Sequence, residues 1–304
     1  MTVHVAYDKR LLNWVLSEGH PSNPIRARLT LDRLEAAEVP MQVHRLRDAT
    51  LDELRLVHAP GYLYEVLIEG RCSEWAGVRP DLSGTARLMF GGTMHLVDLL
   101  LERDDVKLAF APQGAKHHAM HDHASGFCVF NDFAAAALRL RDAGHRVLYV
   151  DWDAHHGDGV EALLRDEKDI VTCSIHDSTI FPGTGWHTEP NAGVYNWPLA
   201  GYAGDYGLLT CIEEVVTLGR EFKPTALLVA AGADGHRRDP LSSLEYTYAG
   251  LSEAATLVAT GLESVEKTLI GGAGGYEPFT VVPRVWADTV AQFAQAERER
   301  ALAA

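Results

Sequence analysis

Aspartates and histidines crowd into one short segment that directly follows an apolar run. Residues 147–150 read VLYV and residues 151–159 read DWDAHHGDG. The apolar run is short and rich in β-branched and aromatic residues, which predicts a buried strand. Because side chains alternate along a strand, Asp151, Asp153 and His155 are expected to share one face as the chain leaves the sheet. Carboxylates with imidazole are a ligand set that suits a divalent metal such as zinc. The segment predicts a metal site, against the alternative of a loop of solvated charges.

Three other groups of chemically useful residues follow predicted strands or lie close behind them. These groups are GAKHH at 114–118 with ASGFC at 124–128 and Asn131-Asp132, AGAD at 231–234, and GGAGGY at 271–276. In open α/β sheets, ligands bind at the carboxyl ends of the strands. All four groups are therefore expected to converge on one rim of a sheet.

Apolar strand-like runs alternate with amphipathic segments along the chain. The predicted strands are 3–6, 106–110, 147–150, 170–175, 226–231 and 268–270, and the predicted helices are 26–38, 87–102, one through 134–137 capped by Asn131, and 207–222. Segments 71–85 and 176–207 resist either assignment and are predicted to be loops that wall a site. Alternation of strand and helix predicts an α/β fold, with a mainly parallel sheet covered by helices on both faces. The absence of linkers and repeats predicts a single domain over 1–304.

The composition is that of a globular protein with an acidic surface. The 304 residues are 47% hydrophobic, and 42 acidic against 27 basic residues give a net charge of −15. A direct nucleic-acid partner is not expected, because phosphate binding needs a basic face. An acidic field favours cationic substrates. No run approaches the roughly 20 apolar residues of a membrane span. The four cysteines are scattered without paired spacing, which predicts a location in the reducing cytoplasm. The oligomeric state stays open.

Taken in order, these motifs and FPGTG at 181–185 resemble the zinc-dependent histone deacetylase superfamily, which has the arginase-deacetylase fold. The resemblance runs from about residue 19 to residue 276. Any one motif is weak evidence, whereas the ordered set is specific. HPSNP at 20–24 and RLT at 28–30 are most similar to bacterial acetoin-utilisation-type deacetylases. The resemblance implies hydrolytic removal of acetyl groups from an acetylated amine.

The resemblance also implies a role for each motif residue. One zinc ion would be held by Asp153, His155 and Asp234, with open positions for water and the substrate carbonyl. His117 and His118 would contact that water and the leaving amine, with His118 as general base and then acid. Asp151 and Asp158 would orient His117 and His118, and Tyr276 would stabilise the oxyanion. Phe127 and Phe181 would form the walls of a tunnel, and the backbone of Gly126 would contact the substrate amide. A potassium site would use Asp151, Asp153, His155, Ser174 and Ile175.

Alternatives remain for single features and for the substrate. Phe127 and Phe181 alone would be core residues, and a glycine-rich run alone would be a turn. Asp153-Ala154-His155 also resembles the Asp-Ala-His of ureohydrolases with two manganese ions. A non-catalytic binding module that keeps the pocket is the third reading. Acetyl-lysine in proteins is favoured over acetylated polyamines or other small amines as the substrate.

The sequence departs from the family pattern at four places. Ala115 and Ala273 stand where glycine is usual, and Lys116 is an unusual neighbour for the histidine pair. No residue matches cleanly the rim aspartate that grips a peptide backbone in many family members. Asp81 and Glu74 lie in the corresponding loop. A protein substrate is therefore less firmly implied than the reaction.

Overall fold

The computed structural model describes residues 1–303, which contain one parallel sheet of eight strands. The strands are β1 (Val3–Ala6), β2 (Met41–His44), β3 (Leu108–Ala111), β4 (Val147–Asp151), β5 (Ile170–Asp177), β6 (Val194–Leu199), β7 (Ala226–Ala230) and β8 (Lys267–Gly271). Their order in the sheet is β2-β1-β3-β8-β7-β4-β5-β6, and every neighbouring pair is parallel. The α/β fold class predicted from the alternation of elements is confirmed.

Helices cover both faces of the sheet. They are α1 (Ile25–Ala36), α2 (Leu51–Arg55), α3 (Pro60–Leu67), α4 (Pro80–Glu102), α5 (Asp132–Asp142), α6 (Asp158–Leu164), α7 (Asp205–Phe222), α8 (Tyr248–Gly261) and α9 (Val281–Ala303). Tyr149 of β4 packs in the cluster that contains the apolar residues of α4 and α5. Its neighbours Leu148 and Val150 pack in the other cluster, with α7, α8 and α9. Alternating side chains that are buried on both faces are typical of a central parallel strand.

Several predicted boundaries were wrong. The strand predicted at 106–110 is β3, which begins at Leu108 and ends at Ala111. The helix predicted at 87–102 begins at Pro80, which occupies its first turn, so the end of the predicted loop 71–85 is helical. The predicted loop 176–207 contains β6, which pairs with β5 and includes Pro198. Because β6 is an edge strand, it tolerates a proline that cannot donate a ladder hydrogen bond.

The strand order brings the motif-bearing segments together. β3, β8, β7 and β4 are consecutive neighbours in the sheet, although they are distant in the sequence. The segments after these four strands therefore leave the same rim side by side.

Among the described helices, none combines the length and apolarity that a membrane crossing requires.

Candidate active site

Three potential metal ligands meet at the rim between β4 and β7. Nδ1 of His155 lies 2.9 Å from Oδ2 of Asp234 and 3.1 Å from Oδ1 of Asp153. All three side chains are buried, and within residues 1–303 this is the one cluster of His, Cys, Asp or Glu residues with metal-binding spacing. Two carboxylates and one imidazole fit a catalytic zinc site, which uses three protein ligands. The residues predicted as the metal triad are thus brought together.

Backbone amides fix the two carboxylates. Asp153 accepts hydrogen bonds from the amide of Gly274 at 2.5 Å and from the amide of His155 at 2.9 Å. Asp234 accepts one from the amide of Ala154 at 2.9 Å. A Cβ on Gly274 would overlap the carboxylate of Asp234, so the backbone can approach the triad only as glycine. This contact gives a physical reason for a glycine after β8.

The triad concentrates negative charge in a buried place. Burial, followed by the charge of Asp153, raises the pKa of Asp234 to about 7. Burial also acts to raise the pKa of Asp153, but the His117 and His155 imidazoles outweigh it and hold that pKa below its usual range. Buried carboxylates are stable only when they are paired or coordinate a metal. The electrostatics of the triad therefore favour a bound divalent cation.

Two histidine–carboxylate pairs lie beside the triad, and their histidines are in the segment after β3. Nδ1 of His117 lies 2.7 Å from Asp151, and Nδ1 of His118 lies 2.7 Å from Asp158. The two imidazole centroids are 4.0 Å apart. The hydroxyl of Tyr149 also donates to Asp151 at 2.5 Å. Because each Nδ1 is engaged by a carboxylate, each Nε2 is left for other partners.

Equal pairing does not give the two histidines equal proton affinity. Burial lowers the proton affinity of His117, but the charges of Asp151 and Asp153 outweigh it and raise its pKa to about 9. Burial, and then the charge of His117, lowers the pKa of His118 to about 4. At neutral pH His118 is therefore the neutral member of the pair, which a general base must be.

An apolar pocket of about 440 Å³ opens above these groups. Phe127 and Phe181, the residues predicted to wall a substrate tunnel, line it together with Gly126, His118, His155 and Tyr276. The ring of Phe181 stands edge-on to that of His118 at 5.0 Å, and the ring of Phe127 edge-on to that of Tyr276 at 6.0 Å. Such a pocket, apolar with a few convergent polar groups, is typical of a small-ligand site.

The backbone around Gly126 is tightly constrained. Gly126 has φ +57°, and a Cβ there would overlap the imidazole of His118. Phe127 follows with φ 63°, an unusual conformation for a residue with a side chain. Its amide donates to the carboxylate of Glu74 at 2.8 Å. The glycine is thus required by close contact with the histidine pair.

Sequence reasoning missed Ile180 and Leu241 as pocket residues and left Glu74 without a clear role. Glu74, Ile180 and Leu241 all line the pocket. Burial raises the pKa of Glu74. The other acidic residue considered for the rim, Asp81, is exposed and pairs with Arg79 at 2.7 Å. A signal for Glu74 was its place in the loop before α4, but spacing alone did not distinguish it from Asp81.

Two contacts hold the backbone of Tyr276. Its amide donates to Oδ2 of Asp239 at 2.6 Å. The preceding carbonyl, that of Gly275, accepts from the guanidinium of Arg26 at 2.7 Å. The phenol lines the pocket beside His155, whose ring centroid is 6.3 Å away. Burial, and then the charge of Asp234, raises the pKa of Tyr276, so its hydroxyl remains a donor.

Three of the five residues predicted to hold potassium lie on the adjacent strands β4 and β5, and Asp153 and His155 follow β4. Asp151 and Ser174 are register partners in β4 and β5, and Ile175 follows Ser174. Ser174 is also within hydrogen-bond distance of His176, at 3.0 Å. These residues are neighbours of the metal triad through Asp151 and Asp153. The potassium site stays a prediction.

Residues 20–293 match the histone deacetylase domain. The chain belongs to the histone deacetylase family. This family of hydrolases was predicted from the motif order, and the prediction is confirmed.

Relatives and solved structures agree with this membership. The acetoin utilization protein AcuC of Staphylococcus aureus (strain COL) is 33% identical, over 92% of this chain and 78% of the relative. AcuC of Bacillus subtilis (strain 168) is 31% identical, over 92% of this chain and 79% of the relative. The crystal structure of the HDA15 HD domain superposes with a TM-score of 0.85 at 27% identity, covering 97% of this chain and 90% of that one. The likeness therefore spans nearly the whole histone deacetylase fold.

Proposed function

We propose that this protein is a zinc-dependent amidohydrolase that removes acetyl groups from acetylated amines, and that its main substrate is the acetyl-lysine side chain of proteins. The observation that carries the proposal is the convergence of a buried triad and two histidine–carboxylate pairs at the inner end of one apolar pocket. We further propose a cytoplasmic location, which the four free cysteines support.

Asp153, His155 and Asp234 would hold the zinc ion. When bound, zinc polarises a carbonyl oxygen and lowers the pKa of water. The amides of Gly274 and Ala154 would keep the two carboxylates oriented, as outer hydrogen bonds do at metal sites. We also propose a potassium ion that uses Asp151, Asp153, His155, Ser174 and Ile175, several through backbone oxygens.

The histidine pair would move the protons. His118, the neutral imidazole of the pair, accepts a proton from the water that adds to the acetyl carbon. It then passes this proton to the amine nitrogen as the C–N bond breaks, which leaves acetic acid and a free amine, and the acid gives its remaining proton to the amine or to solvent to become acetate. Asp158 holds the ring of His118, and Asp151 holds that of His117. His117, whose pKa is higher, supplies positive charge next to the attacked carbonyl.

Pocket residues would position the substrate. Tyr276 donates its hydroxyl to the carbonyl oxygen as negative charge develops there. Phe127 and Phe181 flank a slender alkyl chain, and the backbone of Gly126 bonds the substrate amide. An acetyl-lysine side chain has both the alkyl chain and the amide that these residues would recognise.

A small acetylated amine is the second candidate, and Glu74 favours it. Its carboxylate lines the pocket, where it suits a cationic remainder such as that of an acetylated polyamine. The carboxylate is already engaged by the amide of Phe127 at 2.8 Å, which reduces its capacity for a substrate cation. We therefore favour acetyl-lysine.

The deciding experiment compares kcat/KM for an acetyl-lysine peptide with kcat/KM for acetylputrescine and acetylspermidine under the same conditions. We expect the peptide to be preferred. A polyamine preference above about tenfold, or about 1.4 kcal/mol of transition-state discrimination, overturns this choice. Glu74→Gln is the matched variant, and we expect it to affect polyamine turnover more than peptide turnover.

Metal content separates the proposal from a ureohydrolase and from a non-catalytic module. We expect one zinc ion per chain and hydrolysis of acetyl-lysine. Two manganese ions per chain, with hydrolysis of a guanidino compound, would establish the ureohydrolase reading. Metal binding without turnover of any acylated amine would establish the binding module.

A further inference from the structure

Two exposed arginines lie at the rim of the pocket, on the loop that follows β7. This loop runs from Asp234 of the metal triad to Leu241, which lines the pocket and is exposed at its outer end. Between them, Arg237 and Arg238 are the two exposed cations. Because consecutive Cα atoms are about 3.8 Å apart, the Cα atom of Arg238 lies within about 11 Å of that of Leu241. The proposed mechanism gives neither arginine a role.

Hydrogen bonds fix this loop against the segment that carries the proposed oxyanion donor. The carboxylate of Asp239 accepts from the amide of Leu241 at 3.0 Å and from the amide of Tyr276 at 2.6 Å. Nη2 of Arg238 donates to the hydroxyl of Thr280 at 3.2 Å, in the segment after Tyr276. Arg238 therefore links the two segments at the rim of the pocket, next to the position that an acetylated side chain would enter.

A third arginine extends the positive charge beside this loop. The guanidinium carbon of Arg284 lies 4.0 Å from the centroid of the Tyr248 ring, and the centroid of the His236 ring is 4.2 Å from the same point. Because His236 immediately precedes Arg237, the Arg284 guanidinium is a neighbour of the loop. Its Nε lies 3.4 Å from a carboxylate oxygen of Asp288, which offsets part of its charge. Arg284 therefore adds to the positive potential but is not its main source.

The carboxylates that lie nearest in sequence do not pair with the two loop arginines. The carboxylate of Asp239 is engaged by the two backbone amides described above. That of Glu277 accepts from the amide of Thr280 at 3.0 Å, immediately before α9 begins. Within residues 1–303, no carboxylate oxygen lies within 4.0 Å of a guanidinium nitrogen of Arg237 or Arg238. Both charges are thus available to a partner that arrives from solution.

This positive rim contrasts with the net charge of −15 that the whole chain carries. The Debye length at physiological ionic strength is about 8 Å, so a side chain bound at the rim responds to the nearest charges more than to the net charge. An acidic side chain next to the pocket is therefore attracted, and a basic one is repelled. The exposed ring of Phe279 adds an apolar surface beside Thr280, against which a peptide can pack.

We propose that Arg237 and Arg238 bind an acidic residue that flanks the acetyl-lysine of a protein substrate. This inference rests on the proposed function and names the sequence context of its substrate. An extended chain spans about 3.3–3.6 Å per residue, so a carboxylate within about three residues of the acetyl-lysine can reach the rim. Guanidinium groups bind carboxylates through paired N–H donors, which adds geometric selectivity to the attraction. The two arginines are thus specificity-determining residues.

The test uses acetyl-lysine peptides of equal length that carry Asp, Asn or Lys two residues away from the acetyl-lysine on both sides. We compare the wild type with the double variant Arg237→Gln/Arg238→Gln and with Arg238→Glu. Arg146→Glu is the matched control, because it changes the net charge by the same amount. Arg146 is exposed and directly precedes β4, whereas the site lies where β4 ends. Zinc content and Tm are measured for each protein, and ratios of kcat/KM between peptides remove any general loss of activity.

We expect the wild type to prefer the Asp peptide over the Asn peptide by about twofold or more, mainly through KM, because exposed charge pairs contribute modestly to binding. The double variant should lose this preference, Arg238→Glu should prefer the Lys peptide, and Arg146→Glu should keep the wild-type ratio. A wild-type ratio below about twofold, or an unchanged ratio in the double variant, overturns the proposal. An equal loss in Arg146→Glu also overturns it, since net charge would then be the cause.

Peptide binding, measured by fluorescence anisotropy, separates this proposal from the proposed function. The same three peptides, labelled with fluorescein, are titrated with the zinc-loaded wild type and with the double variant. A Kd that is at least about twofold lower for the Asp peptide than for the Asn peptide, with this difference lost in the double variant, supports the arginine site even where no peptide is hydrolysed. Hydrolysis of all three peptides with equal kcat/KM and equal Kd values overturns the arginine site and leaves the proposed deacetylation intact.

Discussion

Removing the hydroxyl of Tyr276 isolates one step of the proposed chemistry. Tyr276→Phe should keep the ring in place, because Asp239 holds the amide of residue 276 and Arg26 holds the carbonyl before it. The edge-on contact of the ring with Phe127, at 6.0 Å between centroids, does not involve the hydroxyl. The substitution therefore removes one hydrogen-bond donor and little else. Loss of one such donor to a developing oxyanion costs about 10²–10³ in kcat, or about 3–4 kcal/mol.

The assay measures kcat and KM with an acetyl-lysine peptide on protein of known zinc content. We expect kcat to fall at least about 10²-fold with KM changed by less than about threefold, because the hydroxyl acts only as charge develops. Tyr246→Phe is the matched control. The hydroxyl of Tyr246 is buried and has no hydrogen-bond partner among the described residues. Its removal should leave kcat unchanged and should not lower the stability, since an unsatisfied buried hydroxyl is itself unfavourable.

Three results would refute this reasoning. A kcat within about threefold of the wild-type value, at full zinc content, would show that the hydroxyl does not contact the oxyanion. A rise in KM with unchanged kcat would assign the hydroxyl to ground-state binding. An equal loss of kcat in Tyr246→Phe would mean that loss of any buried hydroxyl disturbs the protein.

Three further predictions concern the metal, the base and acid stability. Asp234→Ala should lower zinc content and activity together, as measured by atomic absorption and turnover, and normal values of both would contradict the triad. His118→Ala should retain zinc but lose nearly all activity, and substantial activity would exclude it as general base. Burial lowers the pKa of His58 to about 4, below 6.5 in the unfolded chain, and its ring contacts Met120 and Asn131 as a neutral tautomer. The stability that neutral His58 contributes is therefore present above pH 6.5 and is lost as the pH falls to 4. The free energy of unfolding, measured by urea titration, should fall by about 3 kcal/mol over this range because of His58. In His58→Gln the decline should be shallower.

The sequence predicted those parts of the fold in which local pattern and burial agree. β4 and β7 were found because they are short apolar runs that are buried on both faces. β2 was missed because its MQVH sequence carries no apolar run, and it is a strand only through pairing with β1. β6 was missed for a similar reason, since its partner β5 imposes the extended backbone. Edge strands depend on tertiary pairing, which local propensity does not report.

The part of the site that motif residues form could be predicted from the sequence. The triad, the histidine pairs and Tyr276 follow strand ends, so topology alone brings them together. Glu74, Leu241 and Asp239 reach the site from loops whose paths the sequence pattern does not fix. Their contribution depends on three-dimensional contact and not on spacing. Loops often supply such residues, because they vary while the scaffold stays rigid.

The two alanines that depart from the family pattern have a structural consequence. Ala115 and Ala273 adopt φ values of 59° and 55°, a left-handed conformation that favours glycine. Both lie in segments that approach the site, and the amide of Ala273 donates to the carbonyl of Gly114 at 3.2 Å. The sequence thus retains the backbone geometry that a glycine would provide, at a conformational cost of about 1–2 kcal/mol per residue.

The contrast between His117 and His118 shows how burial and neighbouring charge divide two adjacent, similarly paired residues. The pKa of His117 is raised because Asp153 adds to the effect of its own partner, Asp151. A divalent cation on the triad would offset the charge of Asp153 and lower this pKa. The pKa of His118 is lowered by burial and by the charge of His117, so a further cation nearby acts in the same direction. Burial, the larger cause of the low pKa of His118, does not depend on the charge of the triad, so His118 remains the member of the pair with the lower pKa.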